Sequence, residues 1–198
     1  MYWWAQDPKT LIWYVYRELY VSGMSDVDVA AEMESMTKGE SIYCIYYPWD
    51  LDNKQPTANF ISMQERMDDT TGRKYYWKKA NKDRIQGWMA VRYLLKIREN
   101  GEPLMKVFSC CKNLIRTIPQ QVFDEGNSED LDTMGEDHAV DGIRYKAASY
   151  IPLQELEAES KREGEKVDLG GAYLIPAHKD KEGKEVGRQF VMKNENMR

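Results

Sequence analysis

The run Gly135-Glu136-Asp137-His138-Ala139-Val140-Asp141-Gly142-Ile143-Arg144-Tyr145 places the tightest constraint on what this chain folds into. At about 100° per residue it divides into two arcs of one helix. Val140, Ile143 and Ala147 form an apolar arc that must find a surface to pack on. Asp137, His138, Asp141, Arg144, Tyr145 and Ala148 form the other arc, with two carboxylates one turn apart and a histidine beside them. Carboxylate oxygens are what hard divalent cations bind, and nucleases use such ions to hold a phosphate. The same spacing also suits an exposed polar face, with Asp137 complementing the positive end of the helix dipole.

The rest of the chain alternates strand-like and helix-like stretches. Residues 2–5 and 11–21 are rich in aromatic and β-branched side chains and read as strands, joined by the turn Asp7-Pro8-Lys9-Thr10. A helix over 25–36 has Ser25 as its N-cap and acids in its first turn, and Lys38-Gly39 stops it. Residues 41–47 are β-prone without interruption and close at Pro48, which suits a central strand buried on both faces, flanked by strands near 11–20 and 104–109. A loop over 50–57, a short helix over 58–67 and a short strand over 74–77 follow. The helix over 83–98 is the clearest, with Ile85, Trp88, Val91 and Leu95 on one side and Asn100-Gly101 at its end. A strand over 104–109, one or two helical turns over 113–118, a short strand at 122–123 and an acidic loop over 124–135 lead to the opening helix.

This alternation predicts a mixed α/β sheet flanked by helices. It forms one domain over 1–150, followed by a charged tail over 151–198 that is expected to be partly disordered, with one short strand at 172–175.

Several function classes are excluded. With a net charge of −5 the chain as a whole is not a basic nucleic-acid binder, so any DNA contact comes from a local patch. Lys112 and Arg116, one turn apart, and the cluster Lys78, Lys79, Lys82 and Arg84 are the candidates, against ordinary surface charge. The three cysteines, Cys44, Cys110 and Cys111, include an adjacent pair, which speaks for a reducing compartment rather than a disulfide framework. No C-x-x-C spacing suggests zinc, and no Gly-rich phosphate loop of the G-x-x-x-x-G-K-[ST] type is present. No signal peptide opens the sequence and no apolar run approaches membrane-spanning length, so a membrane is not an expected partner.

The run from Phe108 to Pro119 contains Cys111-Lys112-Asn113-Leu114-Ile115-Arg116. Together with the acidic loop and the Asp137-His138, Asp141, Arg144-Tyr145 spacing, it follows the order C-x-N-L-I-R-x-x-P, acidic loop, D-H-x-x-D-x-x-R-Y. This string resembles the end of the nuclease domain of tailed-phage terminase large subunits. Residues 10–20 resemble that family's second nuclease hairpin strand, and Lys82-Asp83-Arg84-Ile85-Gln86-Gly87-Trp88 the start of its penultimate helix, so the similarity covers about 1–150.

The resemblance implies an RNase H-like mixed sheet, with acids at strand ends and on the last helix holding Mg²⁺ or Mn²⁺. The implied activity is endonucleolytic cutting of concatemeric viral DNA by a phage or prophage protein in the bacterial host cytoplasm. Its implied partners are double-stranded DNA, the terminase ATPase domain, the small subunit and the portal. Asp141 matches the metal-binding acid, with Asp137 as its companion ligand and His138 as a catalytic neighbour. Lys82, Arg84, Lys112 and Arg116 are then the expected DNA contacts.

Two departures qualify the implied activity. The strand bearing the family's first acid should precede residues 2–5, so a first strand is expected to be missing. The second acid belongs to a word like Tyr-x-Asp-Pro, whereas Tyr46-Tyr47-Pro48 stands here, leaving Asp50 or Asp52 to reach in. Cutting is therefore expected to be weak or absent. A non-catalytic DNA-packaging or DNA-binding remnant of a prophage is the alternative. Another RNase H-like nuclease is a third reading, against which the Cys-Lys-Asn-Leu-Ile-Arg word speaks.

Overall fold

The computed structural model describes residues 1–54, 56, 59–122, 130–131 and 135–151, together with the backbone of 172–175, 178–179, 185–186 and 189–192. In chain order the elements are β1 (Tyr2–Gln6), β2 (Trp13–Glu18), α1 (Asp26–Thr37), β3 (Ile45–Tyr47), α2 (Met63–Thr70), β4 (Trp77–Lys79), α3 (Arg84–Leu95), β5 (Met105–Val107), α4 (Lys112–Thr117), α5 (His138–Tyr150), β6 (Ala172–Ile175), β7 (His178–Lys179), β8 (Glu185–Val186) and β9 (Gln189–Met192). The protein is mixed α/β. It divides into two compact units, one made of Met1–Glu18 with Asp83–Arg198, the other of Leu19–Lys82.

In the first unit, Asp7 organises the turn between β1 and β2. Its carboxylate accepts from the Lys9 amide at 2.8 Å and the Thr10 hydroxyl at 2.8 Å, an Asx-type turn. The strands then pair antiparallel from Tyr2↔Glu18 to Gln6↔Trp13, with a register shift between Trp3 and Trp4. The other edge of β2 pairs in parallel with β5, giving the order β1-β2-β5. The central strand of this sheet is therefore β2, which corrects the expectation that the 41–47 run would be flanked by the 11–20 and 104–109 strands. Val15 on β2 is wholly buried, whereas Tyr43 is 91 % exposed and Ile45–Tyr47 are half-buried. The tyrosines that make 41–47 look like a doubly buried strand keep one side in water.

The remaining core of this unit is built on α3 and α5. Trp88, Ala90, Val91 and Leu94 of α3 meet Val140, Ile143 and Ala147 of α5, the expected apolar arc, together with Val15, Met105, Cys111 and Leu114. Asp83 caps α3 by accepting from the Gln86 amide at 2.9 Å. Arg144 and Ala148, which helical spacing places on the polar arc, are buried as well. Gly87 makes this possible: a Cβ there would lie 2.4 Å from Cγ of Arg144. At the sheet end of β2, Glu18 accepts from the Asn113 and Leu114 amides at 3.0 and 2.9 Å, and so fastens the start of α4. The strand expected at 172–175 is present as β6 and pairs antiparallel with β9. The rest of the expected tail, and most of the 124–135 loop, lie outside the described residues.

In the second unit, α1 is capped by Ser25, which accepts from the Asp28 amide, as expected. The helix expected over 58–67 sits slightly later, as α2, because Ser62 and Glu65 form a reciprocal capping box. Arg66 bonds Asp26 and so joins α2 to α1. β3 and β4 pair in parallel.

Two outcomes follow. Gly87→Ala forces Arg144 from its place and is expected to cost roughly 1–3 kcal/mol of stability, read as a lower urea midpoint. The second concerns Cys111, whose thiol burial, with Cys110 behind it, pushes up to about 12. In the unfolded chain that thiol ionises near pH ~8.5, so above that pH the unfolded state binds fewer protons and stability falls, by at most ~1.4 kcal/mol per pH unit. The loss runs on until the folded value of about 12 is reached. Urea melts between pH ~8.5 and ~10 should therefore fall more steeply for the native chain than for Cys111→Ala.

Candidate functional site

The residues singled out on the last helix come together at its N-terminal end. Asp137 is the N-cap of α5, yet its side chain makes no capping bond. Its carboxylate is 15 % exposed and lies 3.6 Å from Nδ1 of His138, whose ring is 87 % exposed. Asp141 stands in the first turn, nearer the helix start than the sequence suggests, and its amide donates to the Asp137 carbonyl at 2.8 Å. Nε of Arg144 donates to Oδ1 of Asp141 at 2.7 Å. Arg144 is 2 % exposed, with its guanidinium carbon 4.4 Å from the Tyr145 ring and 5.6 Å from the Trp88 ring.

Arg84, at the head of α3, completes the cluster. Its Nε donates to both oxygens of Asp130, at 3.2 and 3.1 Å, and its Nη1 lies 4.0 Å from Oδ1 of Asp141. The Trp88 indole also donates to Asp130, at 3.1 Å. Burial by itself weakens Arg84 as a cation. The hydrogen bond and charge of Asp130, with the charges of Asp141 and Asp137, outweigh that and hold its pKa above the ordinary value. Two carboxylates, Asp130 and Asp141, thus flank one guanidinium.

The other expected residues are placed elsewhere. Arg116 is forked onto Glu136, Nη1 and Nη2 each 2.6 Å from an oxygen. Lys112 is exposed at the head of α4. Lys82 belongs to the second unit, where its Nζ lies 6.0 Å from the Trp49 ring. In that same unit Asp52 pairs with Lys79, and burial followed by a hydrogen bond from Tyr47 to Asp52 raises the Tyr47 phenol's pKa. Asp52, named as an acid that could reach into a site, is thereby engaged by Lys79 and Tyr47.

The sequence does not single out Asp130, because nothing in an acid-rich loop marks one acid from the next. Its two donors, Arg84 and Trp88, sit one turn apart on α3, and that spacing is the signal available.

A two-ion centre brings about four positive charges and needs several carboxylate oxygens turned toward the ions. Here the oxygens of Asp130 and Oδ1 of Asp141 are turned toward arginines. Among the described residues no group of three or more His, Cys, Asp or Glu side chains is gathered to hold a metal ion. As arranged, these residues do not fit a two-ion centre. Among the described residues no helix is long and apolar enough to cross a membrane. Compared with protein-family models, curated proteins and solved structures, the chain matches none.

The Arg144–Asp141 bond tests directly. Removing either partner of a buried charged pair strands the other, so Arg144→Met is expected to lower stability by roughly 2–4 kcal/mol. Asp141→Asn keeps an acceptor and should cost less, about 1–2 kcal/mol. Calorimetric melting of the two variants gives both values. Equal stability of Arg144→Met and the native chain would show that the pair carries no structural weight.

Proposed function

We propose that this chain is the nuclease portion of a tailed-phage terminase large subunit, with an RNase H-like fold and an ancestral reaction of endonucleolytic DNA cutting. The observation that carries the reading is Asp141. The resembling family bears a metal-binding acid on its last nuclease helix, and here Asp141 stands in the first turn of α5 with Asp137 and His138 at the same end. The order of the resembling words along the chain supports it, as does a mixed α/β fold that sets α5 against a sheet.

On this reading the substrate is double-stranded viral DNA, and the partners are the ATPase domain, small subunit and portal of a packaging machine in the host cytoplasm. By resemblance the ancestral reaction uses Mg²⁺ or Mn²⁺, which the residues as now arranged do not fit. Lys112, exposed on α4, is the phosphate contact of the first unit that no described acid neutralises. Cutting is weak or absent, since by resemblance Tyr47 occupies an acid's position and Asp141 is already bonded to Arg144 at 2.7 Å.

The same 2.7 Å bond favours a second reading, a DNA-packaging module that kept the fold without the cut. A plasmid assay decides between them. Supercoiled DNA in millimolar Mn²⁺ should be nicked slowly by the native chain and not at all by Asp141→Asn. Nicking that survives Asp141→Asn would overturn the assignment of the acid. DNA binding without any nicking would select the second reading, and neither binding nor nicking would remove both.

A further inference from the structure

We infer that Arg84 is the resident cation of the acidic end of α5 and that it keeps divalent ions out. The inference rests on the reading of Asp141 as a metal-binding acid in ancestry, and it comes from the disagreement between that role and the present arrangement.

Two arginines approach Asp141, and they are not equivalent. Arg144 is 2 % exposed and wedged over Gly87, where even a methyl group would lie 2.4 Å from its Cγ. It has no room to withdraw, so it acts as a strut. Arg84 is different. Its side chain is 29 % exposed, so it has a path to solvent. Its Nη1 stands 4.0 Å from Asp141, beyond hydrogen-bond range, while its Nε is shared between the two oxygens of Asp130. Its Nη2 is buried with no hydrogen-bond partner among the described residues. Charge, rather than a complete set of hydrogen bonds, therefore holds Arg84 between Asp130 and Asp141.

A divalent ion would bind in the same place. Hard cations take carboxylate oxygens at roughly 2.0–2.6 Å, and the acids that face Arg84 are Asp130, 3.1 Å from its Nε, and Asp141, 4.0 Å from its Nη1. A guanidinium between them satisfies their charge and fills the space an ion would need. Divalent ions and Arg84 then compete, and each excludes the other.

Titration of Mn²⁺ into the folded protein, followed calorimetrically in low salt, tests this without relying on cutting. The native chain should bind Mn²⁺ weakly. Arg84→Gln removes the charge while keeping much of the length, and should tighten binding by about tenfold or more. Adding Asp141→Asn to Arg84→Gln should abolish the gain, which assigns the ion to this cluster. Arg84→Lys retains a charge for Asp130 but not the fork, and should tighten binding by a smaller factor. It also serves as the test if Arg84→Gln does not fold.

A folded Arg84→Gln whose Mn²⁺ affinity equals that of the native chain would overturn the inference. So would tight Mn²⁺ binding by the native chain, or, where Arg84→Lys is the folded variant used, no gain in it. The nicking assay reports separately. Gained Mn²⁺ binding without nicking keeps Arg84 as the competing cation and removes the nuclease reading. Brisk nicking by the native chain, lost in Asp141→Asn, does the reverse.

Discussion

One buried charge governs the arrangement of the larger unit. Taking the Arg144 guanidinium out of water costs several kcal/mol, and only a close anion with good geometry offsets it. Asp141 is that anion, at 2.7 Å, three residues earlier on the same helix. The pair sets further requirements. The facing residue on α3 must be glycine, because Gly87 leaves room for the arginine's aliphatic stem. The rings of Trp88 and Tyr145 must flank the guanidinium. The acid most readily assigned a chemical role is thus also a structural counter-ion, and any ligand that claims it must leave Arg144 provided for.

How far the sequence reveals this depends on the range of the forces involved. Helix ends and tight turns are decided by neighbours within a turn, so Ser25 and the Asp7 turn are legible from residue order alone. The apolar arc of α5 is legible for the same reason, since Val140, Ile143 and Ala147 repeat at helical spacing. Sheet order is not legible. It depends on which strand finds partners on both edges, and β2 and β5 are far apart in the chain. The 41–47 run misleads because tyrosine counts as β-prone in a strand yet tolerates water on one side, as Tyr43 does.

The candidate site is half visible in the sequence. Spacing alone places Asp137, His138 and Asp141 on one arc of a helix, and the structure brings them together at its start. Helical periodicity also groups Arg144 with them, correctly in angle but wrongly in environment, since a long aliphatic stem allows a charged residue to run inward. Arg84 resembles a phosphate contact because it follows lysines. Its acids are Asp130 and Asp141, both distant in sequence, and a charge's partner across such a gap leaves no periodic trace. The acidic face and its neighbour Arg144, three residues on from Asp141, are visible from the sequence, and the second cation, Arg84, is not.

The larger unit is discontinuous, and this bears on the order in which the chain is assembled. Its first strands end at Glu18 and the chain returns only at Asp83. The bond from the Asn113 amide to Glu18 spans 95 residues. At translation speeds of about 5–20 residues per second, the β1–β2 hairpin waits roughly 5–20 s for β5 and α4 to leave the ribosome. During that interval Val15 of the hairpin lacks the cover that β5 and α4 give it, whereas Leu19–Lys82 has its whole sequence before β5 and α4 emerge. The hairpin is thus open to mispairing in a nascent chain for that interval. Late closure of a long loop, which is the slow class of folding event, sets the pace at which the unit that carries Asp141 takes shape.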